Sequence, residues 1–216
     1  MAGQKGKVPE HQLLYLRLRE MILYGELAPG QPVTILGLKE HLGAGMTPVR
    51  EAIRRLTAEG ALEASENRRV CVPLMTVEKL EQVYLARTAI EPELARMACK
   101  KKSPSLLKDL RAIDALLDEG IERGDVSAYL EFNFRFHFRL YEDAGADILL
   151  NICRSLWMQV GPALRIMSGR FGTENLPDKH DEAMFALEAG DCDAVARLID
   201  EDIRQGMDNV RIFLNE

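Results

Sequence analysis

The stretch "MTPVREAIRRLTAEGAL", residues 46–62, holds three arginines and two glutamates in a chain whose formal net charge is −6. Thr47 can cap a helix, and Pro48 suits the first helical position, where its missing N–H costs nothing. Val49, Ala52, Ile53 and Leu56 follow the i, i+3, i+4, i+7 spacing of a buried face. Arg50 and Arg54 are i, i+4 neighbours on the other side, with Arg55 beside them, and Gly60 ends the helix. Two readings compete. The arginines form a solvated face paired with Glu51 and Glu59, or they lie against a polyanion.

The flanking sequence favours the second reading. Upstream, residues 9–27 read as a helix with a wide apolar stripe, and "APGQPV" then forces a turn. "TILGLKEHLG" is a short helix with Thr34 as N-cap and Gly43 as stop. Only "AGM" separates it from Thr47, which is the spacing of a helix-turn-helix. Downstream, "ALEA" and "RVCV" can pair as a hairpin around "SENR", placing Arg68 and Arg69 at or beside the tip. Three helices followed by a hairpin make a winged helix.

Charge divides the chain in the same place. Residues 1–75 hold ten Lys/Arg and eight Asp/Glu, a balance of +2; residues 76–216 hold eighteen and twenty-six, a balance of −8. A mildly basic domain over 1–75 and an acidic one over 76–216 point to different partners for each. Overall acidity does not exclude nucleic acid, because binding depends on a local patch. The four cysteines (Cys71, Cys99, Cys153, Cys192) contain no CxxC and read as reduced packing thiols. The polar start "MAGQKGKVPE" has no apolar signal core, and no apolar run approaches membrane-spanning length. A cytoplasmic protein with no membrane partner is the expectation.

After Thr76 the strand signals vanish. "TVEKLEQVYLARTAIEPELARMAC", with Pro92 inside it, opens a series of about six amphipathic helices. Ser103, Asp125, Asp147 and Asp191 fall near helix starts, and Gly124, Gly145 and Gly190 near ends. The fold class is therefore mainly α, an N-terminal winged helix-turn-helix plus a C-terminal all-α bundle large enough to enclose a cavity.

"TPVREAIRRLTAEGAL" closely resembles the signature of the GntR family of bacterial winged-helix transcription regulators. "TVEKLEQVYLARTAIEPELARMA" resembles the first helix of that family's FadR-type, or FCD, ligand-binding domain, and "FNFRFHFRLYEDAG", "KHDEAMFALEAGD" and "AVARLIDEDI" follow in the positions of further FCD motifs. The resemblance implies a homodimer that binds a palindromic double-stranded DNA operator, usually as a repressor, and responds to a small molecule. It places Thr47 and Arg50 at the major groove and the loop Asn67–Arg69, including Arg68, near the minor groove; Arg54 and Arg55 are expected on phosphates. Met46 and Leu36 stand where relatives often carry basic residues.

Asn133 and His137 are an i, i+4 pair and point the same way from one helix. The FCD resemblance implies a metal site and carries its four positions onto Asn133, His137, His180 and Asp202. Asn and Asp replace the commoner Asp and His at the first and last of these. Two imidazoles, a carboxylate and an amide oxygen suit a divalent ion such as zinc, nickel, manganese or iron. The bland alternative is a core His137 among Phe132, Phe134, Phe136 and Phe138 and a helix-start His180. With a metal present, a small organic acid could bind there, with Arg87 and Arg165 as counter-charges; Arg87's alternative is a surface pair with Glu91. The competing function is a metal-dependent hydrolase using His137, His180 and Asp202, since three ligands plus water is the catalytic format. Against it, the chain has no HExxH, and a regulator, not an enzyme, is expected.

Overall fold

In the computed structural model the arginine-bearing helix begins two residues ahead of the expected Pro48. The structure describes residues 9–64, 69–171 and 179–215. The arginine-bearing helix α3 spans Met46–Ala58 with Gly45 as N-cap, so Thr47 sits inside the first turn and caps nothing. Its inner face is Val49, Ala52, Ile53 and Leu56, all buried as the spacing requires. Ahead of it lie α1 (Glu10–Leu23) and α2 (Ile35–Leu42). Thr34 caps α2 by accepting from the Gly37 N–H, and Gly43 ends it at φ 62°, a left-handed conformation only glycine adopts cheaply.

Three two-residue strands complete this half: β1 (Pro32–Val33), β2 (Glu63–Ala64) and β3 (Val70–Cys71). The order is β1-β3-β2, with β2 and β3 antiparallel in the register Glu63↔Cys71 and Ala64↔Val70. That is the expected hairpin. The outer strand β1 was not foreseen, because two residues after a Pro-Gly turn carry no periodic signal.

Thr76 caps α4 (Val77–Lys101). Five more helices follow among the described residues: α5 (Leu106–Glu122), α6 (Val126–Glu142), α7 (Asp147–Phe171), α8 (Lys179–Ala189) and α9 (Cys192–Asn215). Pro92 lies within α4 without ending it. Asp125 caps α6 through the Ser127 and Ala128 N–H groups. One apolar core runs through both halves, from Leu18 and Ile22 of α1 to Leu94 of α4, Phe136 of α6 and Ile199 of α9.

The long helix α7 also packs on the N-terminal half. The Ser155 hydroxyl donates to the Glu59 carbonyl at the end of α3 (3.1 Å). Gly161 lies against α1 so closely that a Cβ there would fall 2.6 Å from the Leu23 carbonyl oxygen.

One sequence expectation is corrected. Cys99 and Cys192 are joined in a disulfide, not kept as separate thiols; Cys71 and Cys153 are free. The partners are 93 residues apart in the chain, and only the antiparallel packing of α4 on α9 brings their Cα atoms to 5.4 Å.

Candidate functional site

Six helices of the bundle converge on one cluster. From α6, the spacing of four aligns Asn133, His137 and Tyr141 in one stripe, and from α4 it aligns Arg87 with Glu91. α5 adds Asp114, α7 Trp157, α8 His180 and α9 Asp202. One ligand atom each of His137, His180 and Asp202 can be chosen so that all three lie within 4.8 Å of one another. Asn133, Asp202, Arg87, Tyr129, Trp157 and Met207 line a small cavity of about 40 Å³, room for a few waters or an ion with water.

The hydrogen bonds assign the imidazole protons. The Tyr141 hydroxyl donates to Glu91 Oε2 (2.9 Å), and a carboxylate can only accept. Tyr141 must then accept from His137 Nδ1, 3.0 Å away, which puts the proton on Nδ1. In the neutral ring Nε2 carries a bare lone pair. It lies 3.1 Å from Asp202 Oδ2 yet makes no hydrogen bond of acceptable geometry. Burial pushes the His137 pKa down, against the pull of Asp202, so the ring is neutral. The buried Arg87 guanidinium nearby favours the ionised form of Asp202. Two acceptors thus face each other with no proton between them, an arrangement that a cation relieves.

His180 is oriented in the same manner. Its Nδ1 lies 2.9 Å from Asp114 Oδ1, and both residues are buried. Its ring stacks on Phe136 at 3.8 Å, nearly parallel. Carboxylate and tyrosine partners on the far nitrogens are the outer shell that metal-binding histidines use. The donor set fits a divalent ion.

Arg87 reaches the cavity but is not a free cation. It is buried and paired to Glu91 by Nε–Oε1 at 2.6 Å and Nη2–Oε2 at 3.3 Å. The pair exists as the sequence allowed, inside the bundle and not on its surface. The Trp157 indole N–H also donates to Glu91 (3.1 Å), and Arg87 lies over the Trp157 ring at 4.2 Å. Arg165 is elsewhere: its stem lies against Gly25 after α1, and it is not among the cavity-lining residues. Glu91 and Tyr141 could have been singled out by their spacing of four from Arg87 and His137. Asp114 and Trp157 gave no such signal.

On α3, Thr47, Arg50 and Arg54 share one exposed flank. Arg50 has no ion pair among the described residues, whereas Arg54 is held by Glu51 at 2.6 Å. Arg55 turns away, roughly 100° further round the helix. It pairs with Glu59 (2.9 Å) and covers the Tyr15 ring of α1 at 3.7 Å, so it is drawn towards α1 and α7. Met46 and Leu36 are both exposed. Arg69 is exposed immediately before β3, while Asn67 and Arg68 lie outside the described residues.

Comparison with known proteins agrees with this architecture. Residues 11–72 match the family described as bacterial regulatory proteins, gntR family, and residues 82–205 match the FCD domain. The HTH-type transcriptional regulator McbR of Escherichia coli is 25% identical over 193 residues, covering 88% of this chain and 87% of that protein. A probable D-xylose utilization operon transcriptional repressor of Paenarthrobacter nicotinovorans is 28% identical over 170 residues, covering 79% and 75%. The solved structure of E. coli McbR/YncC has the same fold, with a TM-score of 0.89 at 24% identity over 96% of this chain and 99% of that one. These relatives are transcription regulators, which sets the hydrolase alternative aside. The chain belongs to the GntR family, in the group that carries an FCD domain, and is a transcriptional regulator, not an enzyme.

Proposed function

We propose that this regulator binds a palindromic operator as a homodimer and senses a small organic acid at a metal-containing pocket in residues 76–216. The observation that carries the sensing half is the His137 Nε2 lone pair, buried and without a hydrogen bond 3.1 Å from an ionised Asp202. His137, His180 and Asp202 would hold the ion, with the Asn133 amide oxygen alongside. When bound, a divalent ion supplies a Lewis-acidic positive centre for carboxylate or hydroxyl oxygens. The chain's own part is to fix both imidazoles through Tyr141 and Asp114 and to keep Asp202 ionised. Because Glu91 neutralises Arg87, the ion is the main attraction for an anionic effector. The cavity of about 40 Å³ is far below the roughly 300 Å³ of ordinary ligand pockets. An effector must therefore move its wall, which Trp157 of α7 helps to form.

That movement supplies the coupling. α7 carries Trp157 at the cavity and Ser155, two residues earlier, on the Glu59 carbonyl at the end of α3. A shift of α7 would reach the DNA-facing helix directly. Thr47 and Arg50 would read bases, Arg54 would hold phosphate, and Asn67, Arg68 and Arg69 would approach the minor groove. Exposed Leu13 and Leu16 of α1 and Ile148 and Ile152 of α7 offer apolar surface to a second copy.

The test is elemental analysis of protein purified without chelator, followed by operator binding with and without that metal and a panel of organic acids. One divalent ion per chain and an acid that changes DNA affinity about 5–150-fold is the expected result. Protein that carries no metal and takes up none, or acids that bind without altering DNA affinity, would overturn the sensing half.

A further inference from the structure

The α4–α9 seam holds a feature that operator binding and metal sensing leave unused. The two helices run antiparallel, clamped by Glu81–Arg211 (2.7 Å), Tyr84–Arg204 (2.5 Å) and Arg96–Asp193 (2.9 Å). At the far end of the seam Cys99 meets Cys192, with Cα atoms 5.4 Å apart, inside the range a disulfide needs. Cys99 is buried, and Cys192 is half-buried in the first turn of α9. A DNA-binding regulator works where the thiol pool is reducing, and disulfides formed there are transient and redox-sensing. We propose that Cys99 and Cys192 form a reversible disulfide that makes the α4–α9 seam responsive to hydroperoxides.

The chemistry balances with a hydroperoxide as oxidant and a low-mass thiol as reductant. The Cys192 thiolate, the more accessible sulfur and the one favoured by the helix N-terminus, attacks the peroxide. An S–O bond forms, the O–O bond breaks, and the departing oxygen takes a proton to leave as water or alcohol. Cys99 sulfur then displaces hydroxide from the Cys192 sulfenic acid; the S–S bond forms and the hydroxide leaves as water with the Cys99 proton. Two thiols of the reductant reverse the step and become its disulfide.

Neighbouring contacts hold the reduced pair within reach. The Arg96–Asp193 ion pair sits beside it, and Lys102 Nζ donates to the Leu187 carbonyl (2.8 Å), tying the end of α4 to α8. The bond can therefore open and reclose without the helices parting. Its consequence runs along α9. Asp202 lies ten residues after Cys192, and Arg87 twelve residues before Cys99. Fixing the seam at this end fixes how α9 presents Asp202 to the α4 side of the cavity.

The test uses reduced full-length protein titrated with hydrogen peroxide. The expected result is loss of two of the four thiols, a cross-linked Cys99–Cys192 peptide, and full recovery of thiols in millimolar glutathione. Hydrogen exchange over 192–203 should slow about tenfold on oxidation, equivalent to about 1.4 kcal/mol of local stabilisation. Cys192→Ser should abolish both responses while leaving the unfolding midpoint of reduced protein unchanged. Absence of that peptide, a bond that glutathione fails to open, or slowing confined to residues beside the bond would overturn the proposal. So would slowing that persists in Cys192→Ser, which would trace the effect to another oxidised side chain. None of these readouts depends on a metal.

Discussion

Replacing Arg87 and Glu91, singly and together, tests the most heavily bonded group in the bundle. Arg87 is 2% exposed and Glu91 fully buried. The Glu91 carboxylate accepts from Arg87, from Tyr141 at 2.9 Å and from Trp157 at 3.1 Å. Removing one member of a buried ion pair costs about 3–5 kcal/mol, because the remaining charge stays desolvated. Arg87→Met belongs at the lower end, since Glu91 keeps the Tyr141 and Trp157 donors. Glu91→Leu belongs at the upper end, because it strands the guanidinium together with a hydroxyl and an indole N–H. In the double variant no charge is left, and the cost comes from the two orphaned donors, roughly 1–3 kcal/mol each. The double should therefore be more stable than the sum of the singles, about 8 kcal/mol, by about 2–6 kcal/mol. Urea unfolding followed by fluorescence is well suited, because Trp157 is the only tryptophan and it touches both residues. Singles that cost less than about 1 kcal/mol, or a double that is additive within about 0.5 kcal/mol, would refute the buried pair. Arg87 would then be an available cation, and the case for the metal as the main anion attractor would fall with it.

Three further outcomes are expected. Tyr141→Phe removes the acceptor for His137 Nδ1–H and should weaken zinc binding about 10–100-fold, measured by competition with a chromophoric chelator; unchanged affinity would remove Tyr141 from the outer shell. Gly161→Ala drives a Cβ into the Leu23 carbonyl and should cost about 1–3 kcal/mol, whereas Gly206→Ala, helical with nothing within 4 Å of its Cβ position, should stabilise by roughly 0.5–1 kcal/mol. The contrast between the two thermal midpoints is the check. Burial would raise the Asp143 carboxyl, but the Ser103 N–H and Arg139 at 2.9 Å outweigh it and lower its pKa. A depressed carboxylate stabilises the fold above its unfolded value of about 3.9 and loses that contribution as pH falls through the lowered value. The stability gap between the native protein and Asp143→Asn should therefore be constant from pH 7 to about 5 and close in more acidic buffer. A gap that widens on acidification would reverse the assignment.

The N-terminal half was legible because its signals are local. The capping Thr34, the Gly43 stop, the Val49–Leu56 spacing and the "RVCV" strand each lie within a few residues of what they determine. The error of two residues at the start of α3 has the same origin. Gly45 in an extended conformation precedes Met46, and a sequence reading that prefers a Thr-Pro start cannot distinguish the two frames. Arg55 shows a subtler limit. Its helix position was readable, but the direction it takes depends on Tyr15, forty residues earlier, whose ring it covers and whose hydroxyl donates to the same Glu59 at 2.7 Å.

In the bundle the line falls between contacts within a helix and contacts across helices. Asn133–His137, His137–Tyr141 and Arg87–Glu91 are all four residues apart, so the helical repeat places each pair on one face whatever the tertiary structure. Asp114–His180 and Cys99–Cys192 obey no such rule, being 66 and 93 residues apart. Periodicity fixes which face of a helix is buried; it leaves open how far that helix slides against its neighbour, and one turn is roughly 5.4 Å. That distance exceeds any hydrogen bond or disulfide, so the register of α8 on α5 and of α9 on α4 decides both pairs. Trp157 was invisible for a related reason. An indole in an apolar stripe looks like core, and in the structure it is buried as core, yet its single N–H turns to Glu91 and its ring face to Arg87. A buried tryptophan needs one acceptor, and here that acceptor is the carboxylate that also anchors Tyr141 and, through it, the orientation of His137.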